Sequence, residues 1–199
     1  ANSFGGTPSL EACYDPKSKE HVKAGTFPME ESIIAEMKAV CDVLEKHGVK
    51  VYRPKEIEGL NQIFARDIAF VIDDKMVLPN IIEDREDELK AIQGVMDDID
   101  AHQLIKMPQD ARAEGGDVMP WNEYLFVGYS EEEDFEKYQV ARTNKEGVSF
   151  LQTTFPNRKV KAFELKKSDI NARQNALHLD CCFQPIGNKQ AILFEDGFK

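Results

Sequence analysis

His178 and Asp180, Glu114 and Asp117 around the pair Gly115-Gly116, and Asp67 following Arg66 are the side chains of this sequence whose types do chemistry together. An imidazole transfers protons near neutral pH, and carboxylates hold a planar, permanently charged guanidinium through charge-assisted hydrogen bonds. A pocket lined by Asp67, Glu114 and Asp180 with His178 beside it suits an arginine-like side chain and proton transfer at it. The two glycines permit tight backbone geometry and close ligand approach between the acids. Taken singly, each motif has a plainer reading: Arg66-Asp67 as a structural ion pair, Glu114 to Asp117 as a turn, and His178-Leu179-Asp180 as a satisfied core histidine. Their matching placement before three similar stretches favours the joint reading.

Those stretches are apolar run, turn, apolar run, the pattern of a β-hairpin. The first runs from Ile68 to Ile72, through Asp73-Asp74-Lys75, to Met76-Val77-Leu78; the second from Val118-Met119, through Pro120 to Glu123, to Tyr124 to Val127 and Gly128. The third takes Cys181-Cys182-Phe183 through Gly187-Asn188-Lys189 to Ala191 to Phe194. After the first hairpin the spacing predicts a helix over 83–96 and a strand at 103–105; after the second, a helix over 144–155 and a strand at 160–163. The repeated unit is strand, strand, helix, strand, and a repeat of this period points to propeller-like or solenoid-like closure. Ahead of it, Ile33, Ile34, Met37, Val40, Cys41 and Leu44 share one helical face, Gly48 suits the C-terminal cap, and Val49 to Tyr52 reads as a strand. Cys41 on that face is expected in the core. Ala1 to Phe27 reads as irregular. The expected organisation is one catalytic-type domain over 1–199, with modules at about 28–55, 64–106, 114–164 and 178–199, incomplete at both ends and part of a longer polypeptide.

With 25 basic and 36 acidic residues the formal charge is −11, which opposes polyanion binding and favours small cationic ligands. Nucleic acid is not an expected partner, nor is a membrane, since no apolar stretch reaches the length of a span. A cytoplasmic location is expected. The four cysteines, Cys13, Cys41, Cys181 and Cys182, form neither a disulfide framework nor the paired spacing of a zinc site.

Phe64-Ala65-Arg66-Asp67, Glu114-Gly115-Gly116-Asp117 and His178-Leu179-Asp180, in that order, resemble the signature set of the guanidino-group-modifying superfamily of arginine deiminases, dimethylarginine dimethylaminohydrolases and amidinotransferases. The resemblance covers about Glu30 to Phe194. It implies an α/β fold, the pentein-like propeller of strand-strand-helix-strand modules around a central active site. It also implies a cysteine thiolate that attacks the guanidinium carbon, a covalent amidino-enzyme, and release by water or an amine. By resemblance His178 is the general acid and then the base, Glu114 the catalytic carboxylate, and Asp67 and Asp180 grip the substrate, with Phe64 and Arg66 as neighbouring substrate-binding residues. No metal or organic cofactor is implied.

The family's nucleophilic cysteine lies near the carboxyl terminus, and no residue here matches it, so it is expected beyond Lys199. Were Cys181 and Cys182 on a strand, Cys182 would share the face of His178 and Asp180, which makes it the substitute candidate. Glu114 resembles the hydrolases, whereas Cys41 to Val49 and His178 to Gly187 resemble the amidinotransferases; Asp180 argues against the dimethylarginine branch. The reading leans to a deiminase-type hydrolase, with an amidinotransferase as the alternative and a non-catalytic arginine-binding or scaffold protein as the second. Arg85 and Arg142 are candidates to meet a substrate carboxylate. A homodimer is left open.

Overall fold

The computed structural model describes residues 6–199. Three hairpins carry the architecture. β1 (Phe70–Ile72) and β2 (Lys75–Leu78) pair antiparallel, and β3 (Leu104–Lys106) joins β2 in parallel. β4 (Val118–Trp121) and β5 (Tyr124–Tyr129) repeat the arrangement, with β6 (Lys159–Glu164) parallel to β5. β7 (Phe183–Ile186) and β8 (Gln190–Leu193) form the third hairpin. Each parallel pair needs a crossover, which the intervening helices supply. Asp73 and Asn122 take positive φ, 56° and 51°, at the first two turns, and Gly187 takes φ 57° at the third. Aspartate, asparagine and glycine are the residues that tolerate this conformation in tight hairpins.

Inward positions alternate along the strands, so Phe70, Ile72 and Val77 meet Val118, Leu125, Val127, Leu151 and Phe155 in a core shared by the first two modules. A second cluster of Met119, Leu165, Ala176, Leu179 and Cys182 joins the second module to the third. On the rim the hairpin turns are tied in series. Arg158 donates to Asp73 and to the carbonyl of Asn122; Trp121 Nε1 donates to Gly187 O at 2.6 Å, and Asn122 Nδ2 to Asn188 O at 3.2 Å.

The repeated unit is thus present twice in full and once as a hairpin. Among the described residues its sheets remain separate and do not close into a ring. The crossover helix of the second module, α7 (Lys145–Thr154), is continuous behind its Asn144 cap. In the first module the expected helix is broken into a 3₁₀ turn at Glu83–Arg85, α4 (Glu86–Ala91) and α5 (Gln93–Met96). A short α6 (Glu132–Lys137) precedes α7.

Four expectations are corrected. The stretch read as irregular holds α1 (Pro16–Ala24), started by Asp15 accepting from the Ser18 N–H and ended by Gly25 at φ 67°; its first five residues lie outside those described. α2 (Glu30–Lys46) forms as expected and Gly48 takes φ 78° just past its end, yet none of its residues is buried, so Cys41 is not core. Val49 to Tyr52 pairs with no strand among the described residues. Cys181 and Cys182 lie in and after a 3₁₀ turn (Leu179–Cys181), one step before the strand begins at Phe183.

Candidate active site

Each signature residue stands immediately before a hairpin, and the three positions converge. Asp67 is in α3 (Ala65–Ile68), the single turn before β1; Glu114 caps the 3₁₀ turn Gly115–Asp117 before β4; His178 precedes the turn Leu179–Cys181 before β7. One side-chain atom from each of Asp67, Glu114 and His178 lies within 4.8 Å of the others, and all three residues are buried. His178 Nε2 is 2.9 Å from Glu114 Oε2, and its Nδ1 is 3.9 Å from Asp67 Oδ1. Asp67 Oδ1 also accepts from the Gly116 N–H at 3.1 Å.

The glycines are required by this convergence. A Cβ on Gly115 would stand 1.9 Å from the Arg66 carbonyl oxygen, and one on Gly116 would stand 2.7 Å from Cγ and Nδ1 of His178. Asp117, fully buried, sits behind them and accepts from the Thr143 hydroxyl at 2.6 Å and the Leu179 N–H at 2.9 Å.

Two guanidinium groups face the acids. Arg85 donates to Asp67 Oδ2 at 2.9 Å, to both oxygens of Glu88 at 2.7 and 2.9 Å, to Glu114 Oε2 at 3.4 Å and to the Phe64 carbonyl at 3.1 Å. Arg142 Nη1 donates to Glu114 Oε1 at 3.1 Å, while its buried Nε has no partner among the described residues. These contacts decide the protonation states. Burial alone would raise the Glu114 carboxyl, but the hydrogen bond from His178 and the charges of Arg142, His178 and Arg85 outweigh it and hold the group at about 2. Burial likewise disfavours the His178 imidazolium, and the bond to Glu114 with the charges of Asp117 and Asp67 overcomes it, so His178 titrates above its ordinary range. Burial raises both Glu88 and Asp180.

The acids open onto a cleft of about 720 Å³. Its charged wall is Asp67, Arg85, Glu88, Glu114, Arg142, His178 and Asp180; Phe27, Ile33, Met37, Leu60, Ile63 and Phe64 face them with apolar surface. Tyr14 closes one side, its hydroxyl donating to Asp84 at 2.7 Å. Such a cleft takes a cation at its acidic end and a hydrocarbon stem along its apolar wall. Asp67, Glu114 and His178 have the donor set for a metal ion, but three of the four carboxylate oxygens of Asp67 and Glu114 already accept from Arg85 and Arg142.

Of the expected site residues, Asp67, Glu114, His178, Asp180 and Phe64 line the cleft. Arg66 does not. It turns to the backbone, donating to Gly115 O at 3.1 Å and Val118 O at 3.0 Å, and approaches Asp180 at 3.7 Å. The cysteine assignment is reversed. Cys181 reaches the cleft, whereas Cys182 is buried in the apolar cluster against Leu179 O. Burial pushes the two thiols up to about 11 and about 12. Sequence reasoning missed Glu88, whose three-residue spacing from Arg85 on a helical segment was the available signal.

Comparison with known proteins follows the same lines. The model of the family described as N,N dimethylarginine dimethylhydrolase, eukaryotic, matches residues 15–199. The uncharacterized protein YkgA of Bacillus subtilis (strain 168) is 28% identical over 162 residues, 79% of this chain and 49% of that protein, so the chain spans about half the length of the curated relative it matches. Among solved structures, the amidinotransferase SxtG of Microseira wollei superposes with a TM-score of 0.67 at 16% identity, covering 87% of this chain and 59% of that one. The N-terminal domain of ArgZ, a cyanobacterial arginine dihydrolase, gives 0.64 at 20% identity over 85% and 57%. A dimethylarginine dimethylaminohydrolase adduct with 4-chloro-2-hydroxymethylpyridine gives 0.62 at 16% identity over 83% and 61%. At these identities the likeness is one of fold, and it is the mixed α/β fold of pentein enzymes. No helix among the described residues is long and apolar enough to cross a membrane. Three buried groups brought together from matching positions before three hairpins, and a family match over 185 consecutive residues from 15 to 199, lead to one assignment: this chain belongs to the N,N dimethylarginine dimethylhydrolase family of the guanidino-modifying pentein superfamily.

Proposed function

We propose that this protein belongs to an amidinohydrolase that cleaves a C–N bond in the guanidinium of arginine or an N-methylated arginine through a thiolate nucleophile. The observation that carries this reading is the buried His178–Glu114 pair beside Asp67 at the acidic end of a half-apolar cleft. Asp67 and Asp180 hold the substrate guanidinium, and Phe64 flanks its stem. A thiolate adds to the guanidinium carbon, and the tetrahedral adduct collapses with departure of the amine, which takes its proton from His178. His178 then removes a proton from water as it adds to the amidino-thioester carbon. Expulsion of the thiolate leaves a ureido product, so substrate and one water give citrulline and one amine. Glu114 keeps His178 able to carry the proton. Arg142, whose Nε has no partner among the described residues, is the cation available to a substrate carboxylate, whereas the donors of Arg85 are taken by Asp67, Glu88, Glu114 and the Phe64 carbonyl.

We assign the thiolate to a cysteine outside these 199 residues. The support is that none of the three thiols at or beside the cleft is set up to ionise: Cys181 stands at about 11, Cys182 at about 12, and burial raises Cys13, which also lines the cleft. The family match favours the dimethylarginine branch that Asp180 argued against, so methylated and unmethylated substrates must be compared. The decisive assay offers arginine and N,N-dimethylarginine to the protein with and without glycine. Citrulline with ammonia, or with dimethylamine, and no need of glycine supports hydrolysis and names the substrate. Ornithine formed only with glycine would establish the amidinotransferase alternative, to which the fold of SxtG lends support. Binding without turnover would leave the arginine-binding reading. The single domain over 1–199 and the absence of nucleic acid from its partners stand with this proposal.

A further inference from the structure

His178 lies at the joint between a loop and a turn, and two buried groups of opposite charge grip the backbone on either side of it. Lys167, 6% exposed, donates from Nζ to the carbonyl oxygens of Ala176 and Leu177, 2.8 Å each. Asp117 accepts from the N–H of Leu179 at 2.9 Å. The residues before and after His178 are therefore held by side chains, joined by one backbone bond from the Ala176 N–H to Lys166 O at 2.9 Å. Neither Lys167 nor Asp117 lines the cleft, so neither contacts a ligand there. A buried ammonium is costly unless its hydrogen bonds and charge are met. Two carbonyls meet the bonds, and Asp117 is the foremost group favouring the charge against burial.

This placement has a use in addition to stability. The ring of His178 must hold 2.9 Å from Glu114 while its back lies against Gly116, where a single added carbon would collide with it. Small displacements of the 176–179 backbone move the ring along that contact. The loop that leads into it is held within itself by Ser168 Oγ, which accepts from the N–H groups of Ile170 and Asn171, and by Asn175 Oδ1, which accepts from Ser168 N–H. Its outer end is anchored by Asp169, which accepts from the N–H groups of Gln139 and Val140, so the segment next to His178 depends on Lys167 and on the Ala176 N–H bond to Lys166 O.

We propose that Lys167 is a positioning residue for His178, its two hydrogen bonds to the preceding backbone working against Asp117 on the following residue to set the ring at Glu114. The assignment rests on His178 being the proton-transfer group of the site proposed above. The charged groups facing His178 are Glu114, Asp67, Asp117 and Asp180, and those facing Lys167 are Asp117, Arg142 and Asp134.

The test is the pH titration of the His178 ring nitrogens by ¹⁵N NMR in wild type, K167M and K167R, which needs no substrate. In K167M the midpoint falls from its raised position toward the ordinary 6.5 and the tautomer preference weakens, while K167R, which keeps the donors, stays close to wild type. A wild-type midpoint and tautomer in folded K167M would overturn the proposal, as would K167R shifting as far as K167M. Should K167M fail to fold, K167M/D117N, which leaves no uncompensated buried charge, is compared with D117N on the same criterion. A shifted titration in a protein that turns over no guanidine would sink the proposed function and leave the positioning role standing.

Discussion

His178 and Glu114 stand 64 positions apart in the sequence and meet through Nε2 and Oε2 at 2.9 Å, both buried. Each raises the cost of the other's neutral form: the carboxylate is held at about 2 and the imidazolium persists above its ordinary range. The pair is an ion pair from above about pH 2 up to the raised midpoint of His178.

Its contribution to stability has two edges. Glu114 is depressed from 4.5, so its share is full above pH 4.5 and lost as pH falls toward about 2. His178 is raised from 6.5, so its share is full below pH 6.5 and lost as pH climbs through the folded midpoint. The stability difference between wild type and E114Q is therefore greatest between pH 4.5 and 6.5. Urea denaturation at pH 3, 5.5 and 9 reads this; a difference independent of pH would contradict the pairing. In the proposed reaction E114Q lowers kcat roughly 10²–10⁴-fold.

Arg85 joins Asp67, Glu88 and Glu114. R85A leaves three buried carboxylates short of a cation and destabilises by about 3–5 kcal/mol, measured by chemical denaturation. Millimolar ethylguanidine restores part of the thermal stability lost in R85A and raises that of wild type less, because in wild type Arg85 keeps its own place and only the cleft between Asp67 and Asp180 is open to the ligand. Equal effects on both proteins would show that Arg85 does not fill a guanidinium site.

Gly116→Ala puts a methyl into the His178 ring at 2.7 Å. The ring is the more mobile partner, so the variant folds with a loss of about 1–3 kcal/mol and its His178–Glu114 contact opens. The expected signature is a larger loss in kcat than in substrate affinity, together with a lower His178 midpoint by NMR.

The two adjacent cysteines separate by environment. Both react slowly with iodoacetamide at pH 7.5, since their thiols sit at about 11 and about 12, and Cys181, which reaches the cleft, is labelled first as pH rises. Arginine slows labelling of Cys181. Cys182→Ala costs about 1 kcal/mol by emptying a small volume in the apolar cluster, with no effect on labelling of Cys181.

The hairpins and the three groups that precede them were legible in the sequence because apolar runs and turn residues are local signals, and Asp67, Glu114 and His178 each abut one. Glu88 was not, and Arg85 was legible only as a candidate for a substrate carboxylate, because its pairing with Asp67 and Glu114 arises from a helix folding back over residues far away in the chain. Lys167 carried no signal at all; the second of two adjacent lysines in a charged stretch reads as solvated surface until its two carbonyl partners are seen. α1 was missed although Asp15-Pro16 and Gly25 mark its ends, since its own residues are polar. Val49 to Tyr52 failed the other way: an apolar alternation gives a strand only where a partner supplies the hydrogen bonds. At Cys181-Cys182 the strand starts two residues later than expected, and the 3₁₀ turn in its place does not follow the two-residue alternation, so it is Cys181 that reaches the cleft.

The rim ties bear on motion. Arg158 bridges the first two hairpin turns, and Trp121 and Asn122 reach from the second to the third. A chain of repeats contacting only their neighbours would open one at a time from its ends. With its turns laced together, a hairpin here cannot lift without unfastening the next, so amide protons of the first and second sheets exchange with solvent at a common rate, and cutting the single link at Arg158 lets the first sheet exchange ahead of the second.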